Sequence, residues 1–118
     1  MGYTAAVVSE SPAVNEAYFL KMAYGDLTAF RELARDFFAD TRKIMNGWRL
    51  LLEHREYARL CEEIHRCKGG ASLFGLERVV STLSRLENPE LLAKNGFNLD
   101  HFASELDEAE SAVKEIAG

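Results

Sequence analysis

The sequence between residues 60 and 75 combines a helical pattern with two adjacent glycines. Apolar residues recur there at steps of three and four, the spacing of an amphipathic helix that packs one face on a core. They are Leu60, Ile64, Cys67, Ala71 and Phe74. A glycine in a helix interior costs about 1 kcal/mol relative to alanine. Gly69 and Gly70 therefore require an explanation other than helix propensity.

A second group of side chains falls on one face of this helix, away from the apolar stripe. At about 100° per residue, the group consists of His65, Lys68, Gly69 and Ser72. An imidazole that faces solvent is mostly neutral at physiological pH, so one ring nitrogen is free to act as a nucleophile. A lysine one turn later is placed to neutralise phosphoryl oxygens, and a glycine one turn later leaves room for the backbone of another protein. The pattern predicts a histidine that a bulky partner approaches.

These residues resemble the signature of histidine-containing phosphotransfer (HPt) domains, which is His-x-x-Lys-Gly followed by a glycine ten residues after the histidine. His65, Lys68, Gly69 and Gly75 match it without a gap, and the resemblance covers the chain from about residue 11 onward. In that family the histidine is phosphorylated on a ring nitrogen and exchanges the group with an aspartate of a response-regulator receiver domain. The resemblance implies a phosphocarrier of a two-component phosphorelay.

The resemblance also implies roles for neighbouring residues. Glu87, on the next helix, would bond the other ring nitrogen of His65, and Lys68 would balance the phosphoryl oxygens. The surface of partner approach would include Gly69, Ser72, Arg66 and Gly75. The expected partners are a receiver domain and a hybrid sensor histidine kinase. The protein would have no cofactor of its own, and the receiver would supply Mg²⁺ where it is needed, because the sequence shows no acidic cluster near His65.

Several functions are excluded or kept as alternatives. The sequence contains no glycine-rich nucleotide loop and has no room for an ATP-binding kinase domain beside the helices. We therefore expect a phosphotransfer intermediate and not an independent enzyme. One alternative is a module of the same fold that docks a receiver without carrying phosphate, since Cys67, Gly70 and Ala71 depart from the usual family residues. A more distant alternative is a helical protein that binds a metal through Cys61 and His65.

The charge and length agree with a cytoplasmic signalling domain. The net charge is -5 and the pI about 5.2, so no basic surface for nucleic acid is expected. No apolar run approaches the roughly 20 residues that span a bilayer, and the N-terminal residues lack the pattern of a signal peptide. A chain of 118 residues suits one domain, and we expect a monomer.

Helix signals divide the chain into an N-terminal tail and one helical domain. Residues 1–10 show no helical period and are expected to form a flexible tail, followed by an HPt domain over residues 11–118. The predicted helices run from Pro12, with Ser11 as N-cap, to about Tyr24, from Leu27 to about Glu53, from Tyr57 to Phe74, from Leu76 to just before Asn88, and from Leu99 to the C-terminal region, with a loop at 91–97 that includes a helical turn. The second helix has a predicted core stripe of Leu27, Phe30, Leu33, Phe37, Ile44, Trp48 and Leu51, broadened by Phe38, Met45 and Leu52. The expected fold is all-α, an antiparallel (up-and-down) four-helix bundle with an additional short N-terminal helix.

Overall fold

The computed structural model describes residues 11–117, and every regular element in that range is a helix. The six helices are α1 (Glu16–Met22), α2 (Leu27–Glu53), α3 (Tyr57–Leu73), α4 (Glu77–Ser84), α5 (Pro89–Asn95) and α6 (Leu99–Glu115). The flexible tail expected at residues 1–10 lies outside the described residues. None of the described helices combines the length and the apolar character needed to cross a membrane.

Capping side chains explain where four of the helices begin. Asn15, Asp26, Asn88 and Asn98 each accept a hydrogen bond from the backbone N–H three residues later. This bond satisfies one of the donors that a helix N-terminus leaves without an intrahelical partner. The predicted caps at Asp26 and Asn98 are confirmed.

The first helix begins four residues later than the sequence predicts. The expected start at Pro12, with Ser11 as N-cap, is wrong, because residues 11–15 bond to the first turn of α4 and to the turn before it instead of continuing the helix. Arg78 donates from its backbone N–H to the Pro12 carbonyl (3.1 Å) and from Nε to the Ser11 carbonyl (2.9 Å). The Asn15 N–H donates to the Gly75 carbonyl at 2.8 Å. These bonds hold residues 11–15 against the α3–α4 turn.

The core face of α2 is rotated from the predicted stripe. Phe30, Trp48 and Leu51 are buried as predicted, but Leu33 and Ile44 are 56% and 47% exposed, so their assignment to the core is wrong. Phe38, predicted to broaden the stripe, is buried, and the other interior positions between them belong to Ala34 and Thr41. Because α2 packs against both α3 and α6, its buried face includes small and polar residues that a search for large apolar side chains passes over.

Two aromatic groups fill the core at different levels along α2. Near its N-terminus, Phe30 contacts Phe19 and Phe74, with ring centroids 4.7 and 5.0 Å apart. Near its C-terminus, Trp48 packs on Phe97 and Phe102 at 5.6 and 5.9 Å. The indole Nε1 also donates to Glu63 Oε1 of α3 at 2.8 Å. Contacts of this kind join α2 to its neighbours over its whole length and make the described chain an all-helical bundle.

The connection between α4 and α6 is more helical than predicted. The sequence predicts a loop with a helical turn at 91–97, whereas α5 is a seven-residue helix that starts at Pro89. Asn88 caps it, proline occupies its first position, and Gly96 ends it with φ of 69°. Leu92 is fully buried, and α5 packs on α3. The tertiary contact stabilises a helix that is too short to form alone.

Candidate functional site

The middle of α3 presents His65 to solvent, as the spacing predicts. On the same helix Leu60, Ile64 and Ala71 are buried in the core, so the orientation of α3 about its axis is fixed by packing. His65 and Arg66 are both exposed. The imidazole is thus accessible to a partner while the backbone that carries it is held in place.

Lys68 lies one turn after His65 and forms an ion pair with Glu87. Its Nζ donates to Glu87 Oε1, and Glu87 follows α4. The family resemblance implies a bond from Glu87 to the His65 ring; in the described residues the side-chain partner of Glu87 is Lys68. Glu87 and His65 nevertheless line one open recess, together with Cys61 and Arg66. The carboxylate, the ammonium group and the imidazole are therefore neighbours on one surface.

The two adjacent glycines have different structural reasons. A Cβ added at Gly69 would meet nothing within 4 Å, so the space above this residue is open. A Cβ added at Gly70 would lie 2.6 and 2.8 Å from two ring atoms of Phe37 on α2. Gly70 therefore allows α2 and α3 to pack, whereas Gly69 leaves the surface beside His65 uncovered.

The remaining signature positions divide between surface and interior. Ser72 is exposed, one turn beyond Lys68. Gly75 is buried, and its φ of 69° is a left-handed conformation that favours glycine. A Cβ at Gly75 would also lie 2.9 Å from Tyr18 Cδ2. The backbone turn after α3 thus accounts for the glycine at this position without reference to a partner.

The family model of the Hpt domain matches residues 32–117. The chain belongs to the Hpt domain family. The matched range includes most of α2, all of α3 to α6, and each residue of the predicted site. No curated protein and no solved structure matches the chain significantly.

The two thiols of this Hpt domain are structural. Cys61 is buried and donates from Sγ to the Leu86 carbonyl at 3.5 Å. Cys67 lies 4.0 Å from Thr41 Oγ1, and burial raises its pKa to about 11. Burial raises the pKa of Cys61 as well. Because a metal binds the thiolate form, raised pKa values oppose metal binding at both positions. Among residues 11–117, no group of three or more His, Cys, Asp or Glu side chains is placed to hold a metal ion.

Sequence reasoning identified the exposed His65 and the open position at Gly69, but it missed two contacts. The Lys68–Glu87 pair joins residues 19 positions apart, and the Gly70–Phe37 contact joins two different helices. Both depend on how α3 packs against its neighbours. The only signal for the second contact was the presence of an unexplained second glycine.

Proposed function

We propose that this Hpt domain is a histidine phosphocarrier that relays a phosphoryl group between His65 and the aspartate of response-regulator receiver domains. The observation that carries the proposal is the exposed His65 on α3, with open space over Gly69 on the side where a partner would approach. An Hpt domain takes part in two-component signalling, and His65 is exposed, as this chemistry requires.

The chemistry follows from a neutral imidazole. Nε2 of His65 attacks the phosphorus of a phosphoaspartate, an Nε2–P bond forms, and the P–O bond to the aspartate breaks. The aspartate carboxylate leaves with the electron pair. Nδ1 keeps its proton, so the ring becomes positively charged while it carries the dianionic phosphoryl group. On the charged ring, Lys68 balances the phosphoryl oxygens and Glu87 accepts from Nδ1–H, as a carboxylate stabilises the charged imidazole of a catalytic triad.

The residues around His65 set how a receiver approaches. Gly69 and Ser72 present little bulk on the exposed face of α3, and Arg66 offers a cation to the acidic pocket of a receiver. The Mg²⁺ that phosphoryl transfer requires belongs to the receiver in this proposal. The opposite step, from His65 to a second receiver aspartate, uses the same groups in reverse.

The finer arrangement of the helices is also part of the proposal. We infer an antiparallel four-helix bundle of α2, α3, α4 and α6, with α1 as a short additional helix, in a domain that starts near residue 11. Contacts between α2 and α3 support it: Phe37 meets Gly70, whereas Trp48, later in α2, bonds Glu63, earlier in α3. Such reversed order is the pattern of antiparallel neighbours.

The domain acts in this proposal as a carrier without kinase activity of its own. The sequence has no glycine-rich nucleotide loop. Its phosphoryl donors and acceptors are receiver domains, including that of a hybrid sensor histidine kinase. We place this exchange in the cytoplasm, with the carrier acting as a monomer.

Incubation with a phosphorylated receiver tests the function directly. The wild type is expected to gain an acid-labile, base-stable phosphate, and the His65→Gln variant none. His101→Gln is the matched control, because His101 is also an exposed helical histidine, and it should be labelled as the wild type is. Label on His65→Gln would contradict the assignment. Receiver binding without label on the wild type would favour a docking module, and stoichiometric zinc in the purified protein a metal site.

A further inference from the structure

Lys68 and Glu87 connect α3 to the segment after α4 right beside His65. Their side chains form an ion pair, and Glu87 lines the same recess as the imidazole. We propose that this pair belongs to the unphosphorylated state and exchanges partners when His65 is phosphorylated. Lys68 then turns to the phosphoryl oxygens and Glu87 to Nδ1–H. This inference rests on the phosphocarrier function proposed above.

The charges on the site change in a way that favours the exchange. Before transfer, the imidazole is neutral, so the ammonium and carboxylate groups satisfy each other. The phosphoryl group then moves from the aspartate oxygen to Nε2, and the aspartate retains the electron pair of the broken bond. The His65 ring now bears one positive charge and the phosphoryl group two negative charges. Lys68 gains a dianion in place of a monoanion, and Glu87 gains a cationic N–H donor.

Both side chains are placed for the new contacts. Lys68 is three residues after His65 on α3, and side chains at that spacing are neighbours on a helix surface. Glu87 borders the recess from the other side. Neither residue is fully buried, so each can change rotamer without movement of the helices. The exchange therefore needs only side-chain rotation.

The Lys68–Glu87 pair of the unphosphorylated protein affects the equilibrium of phosphoryl transfer. It stabilises the unphosphorylated protein, so transfer to His65 must break it before the new contacts form. Replacing Lys68 by Met or Glu87 by Gln removes the ion pair and also weakens one contact of the phosphorylated state. Each single replacement already loses the whole energy of the pair, and the second replacement loses none of it again. The effects of the two replacements on the transfer equilibrium are therefore not additive.

A double-mutant cycle on the transfer equilibrium tests the exchange. The equilibrium constant for transfer from a phosphorylated receiver is measured for the wild type, Lys68→Met, Glu87→Gln and the double variant. Partly exposed ion pairs contribute about 0.2–1 kcal/mol, which corresponds to a factor of about 1.5 to 5. The cycle compares two products: the wild-type constant times the double-variant constant, and the two single-variant constants multiplied together. We expect the ratio of the first product to the second to be smaller than one by that factor. A ratio of one, or a deviation in the opposite direction, overturns the exchange.

Two further measurements keep the outcomes distinguishable. The Arg78–Glu108 pair joins α4 to α6 with similar side-chain exposure, 31% and 55% against 26% and 42% for Lys68 and Glu87. The cycle of Arg78→Met and Glu108→Gln should give a ratio of one. Urea unfolding of the same four proteins, all unphosphorylated, should give a coupling between Lys68 and Glu87 in the unfolding equilibrium that corresponds to the same factor. Absence of this coupling also overturns the proposal.

Failure of the underlying function gives a different result. If the wild type gains no phosphate from any receiver, the phosphocarrier function itself is wrong. If it gains phosphate on His65 but the Lys68–Glu87 cycle gives a ratio of one, only the exchange of partners is wrong.

Discussion

Gly69 and Gly70 offer a matched pair of substitutions that tests how α3 packs. Both residues lie in the interior of α3, so replacement by alanine gives each variant the same gain in helix propensity. The added methyl group at position 69 enters open space. At position 70 it would lie 2.6 Å from one Phe37 ring atom and 2.8 Å from another. The difference in stability between the variants therefore reports the Phe37 contact alone.

The magnitudes follow from the two terms. The propensity gain is about 0.5–1 kcal/mol for each variant. The Phe37 ring cannot shift freely, because it packs on Phe38 and Phe74 with centroids 5.7 Å away in both cases. Overpacking of this kind costs about 1–3 kcal/mol. Gly69→Ala should thus be more stable than the wild type by about 0.5–1 kcal/mol, and Gly70→Ala less stable than Gly69→Ala by about 1–3 kcal/mol.

Urea unfolding followed by circular dichroism at 222 nm measures both differences, and thermal unfolding should agree. For a domain of this size, 1 kcal/mol corresponds to roughly 3–5 °C in Tm. The two variants are therefore expected to differ by about 3–15 °C. Equal stability of Gly69→Ala and Gly70→Ala would refute the packing of Phe37 against Gly70. A loss of stability in Gly69→Ala would refute the open surface beside His65.

Three other predictions concern the partner surface, the N-terminal segment and the half-buried thiol of Cys67. Gly69→Ala should slow transfer from a phosphorylated receiver by about 10-fold or more in rapid-quench kinetics, since its methyl group would hold the partner away from the imidazole; an unchanged rate would contradict this. Asn15→Ala should lower the free energy of unfolding by about 1–2 kcal/mol in urea titration, because Asn15 caps α1 and bonds Glu77 at 2.8 Å; a loss below about 0.3 kcal/mol would contradict it. Burial raises the pKa of Cys67 from 9.0 to about 11. Its iodoacetamide alkylation at pH 7.5 should therefore be roughly 100-fold slower than that of the urea-unfolded chain, and should speed up as the pH rises toward 11; equal rates would contradict the burial.

The parts of the fold that local signals determine were predictable. Asp26 and Asn98 are capping residues at the start of apolar periods, and both begin helices where the sequence predicts. The start of α1 was not predictable from Ser11 and Pro12, because Arg78, more than 60 residues later, binds that segment. The α2 core face was partly mispredicted for a similar reason. Ala34 is fully buried on a helix that packs against both α3 and α6, and alanine carries little hydrophobic signal of its own.

The site shows the same division between local and long-range information. The exposure of His65 and the open position at Gly69 follow from helical spacing, since the buried residues of α3 fix its rotation. The partner of Glu87 does not follow from spacing, because the two ends of the Lys68–Glu87 pair lie on separate elements. Gly70 was an unexplained feature until the position of Phe37 was known. The face of a helix that a residue occupies is largely predictable here from spacing, whereas the residue of another helix that it contacts is not.

The most direct test of the phosphocarrier assignment is the chemical state of the His65 ring itself. Long-range ¹H–¹⁵N correlation spectra of the histidine rings, recorded before and after incubation with a phosphorylated receiver, identify which nitrogen carries phosphorus. We predict that the Nε2 resonance of His65 alone changes to that of a phosphorylated nitrogen while Nδ1 remains protonated. Phosphorylation of His54 or His101 with an unchanged His65 ring would contradict the account.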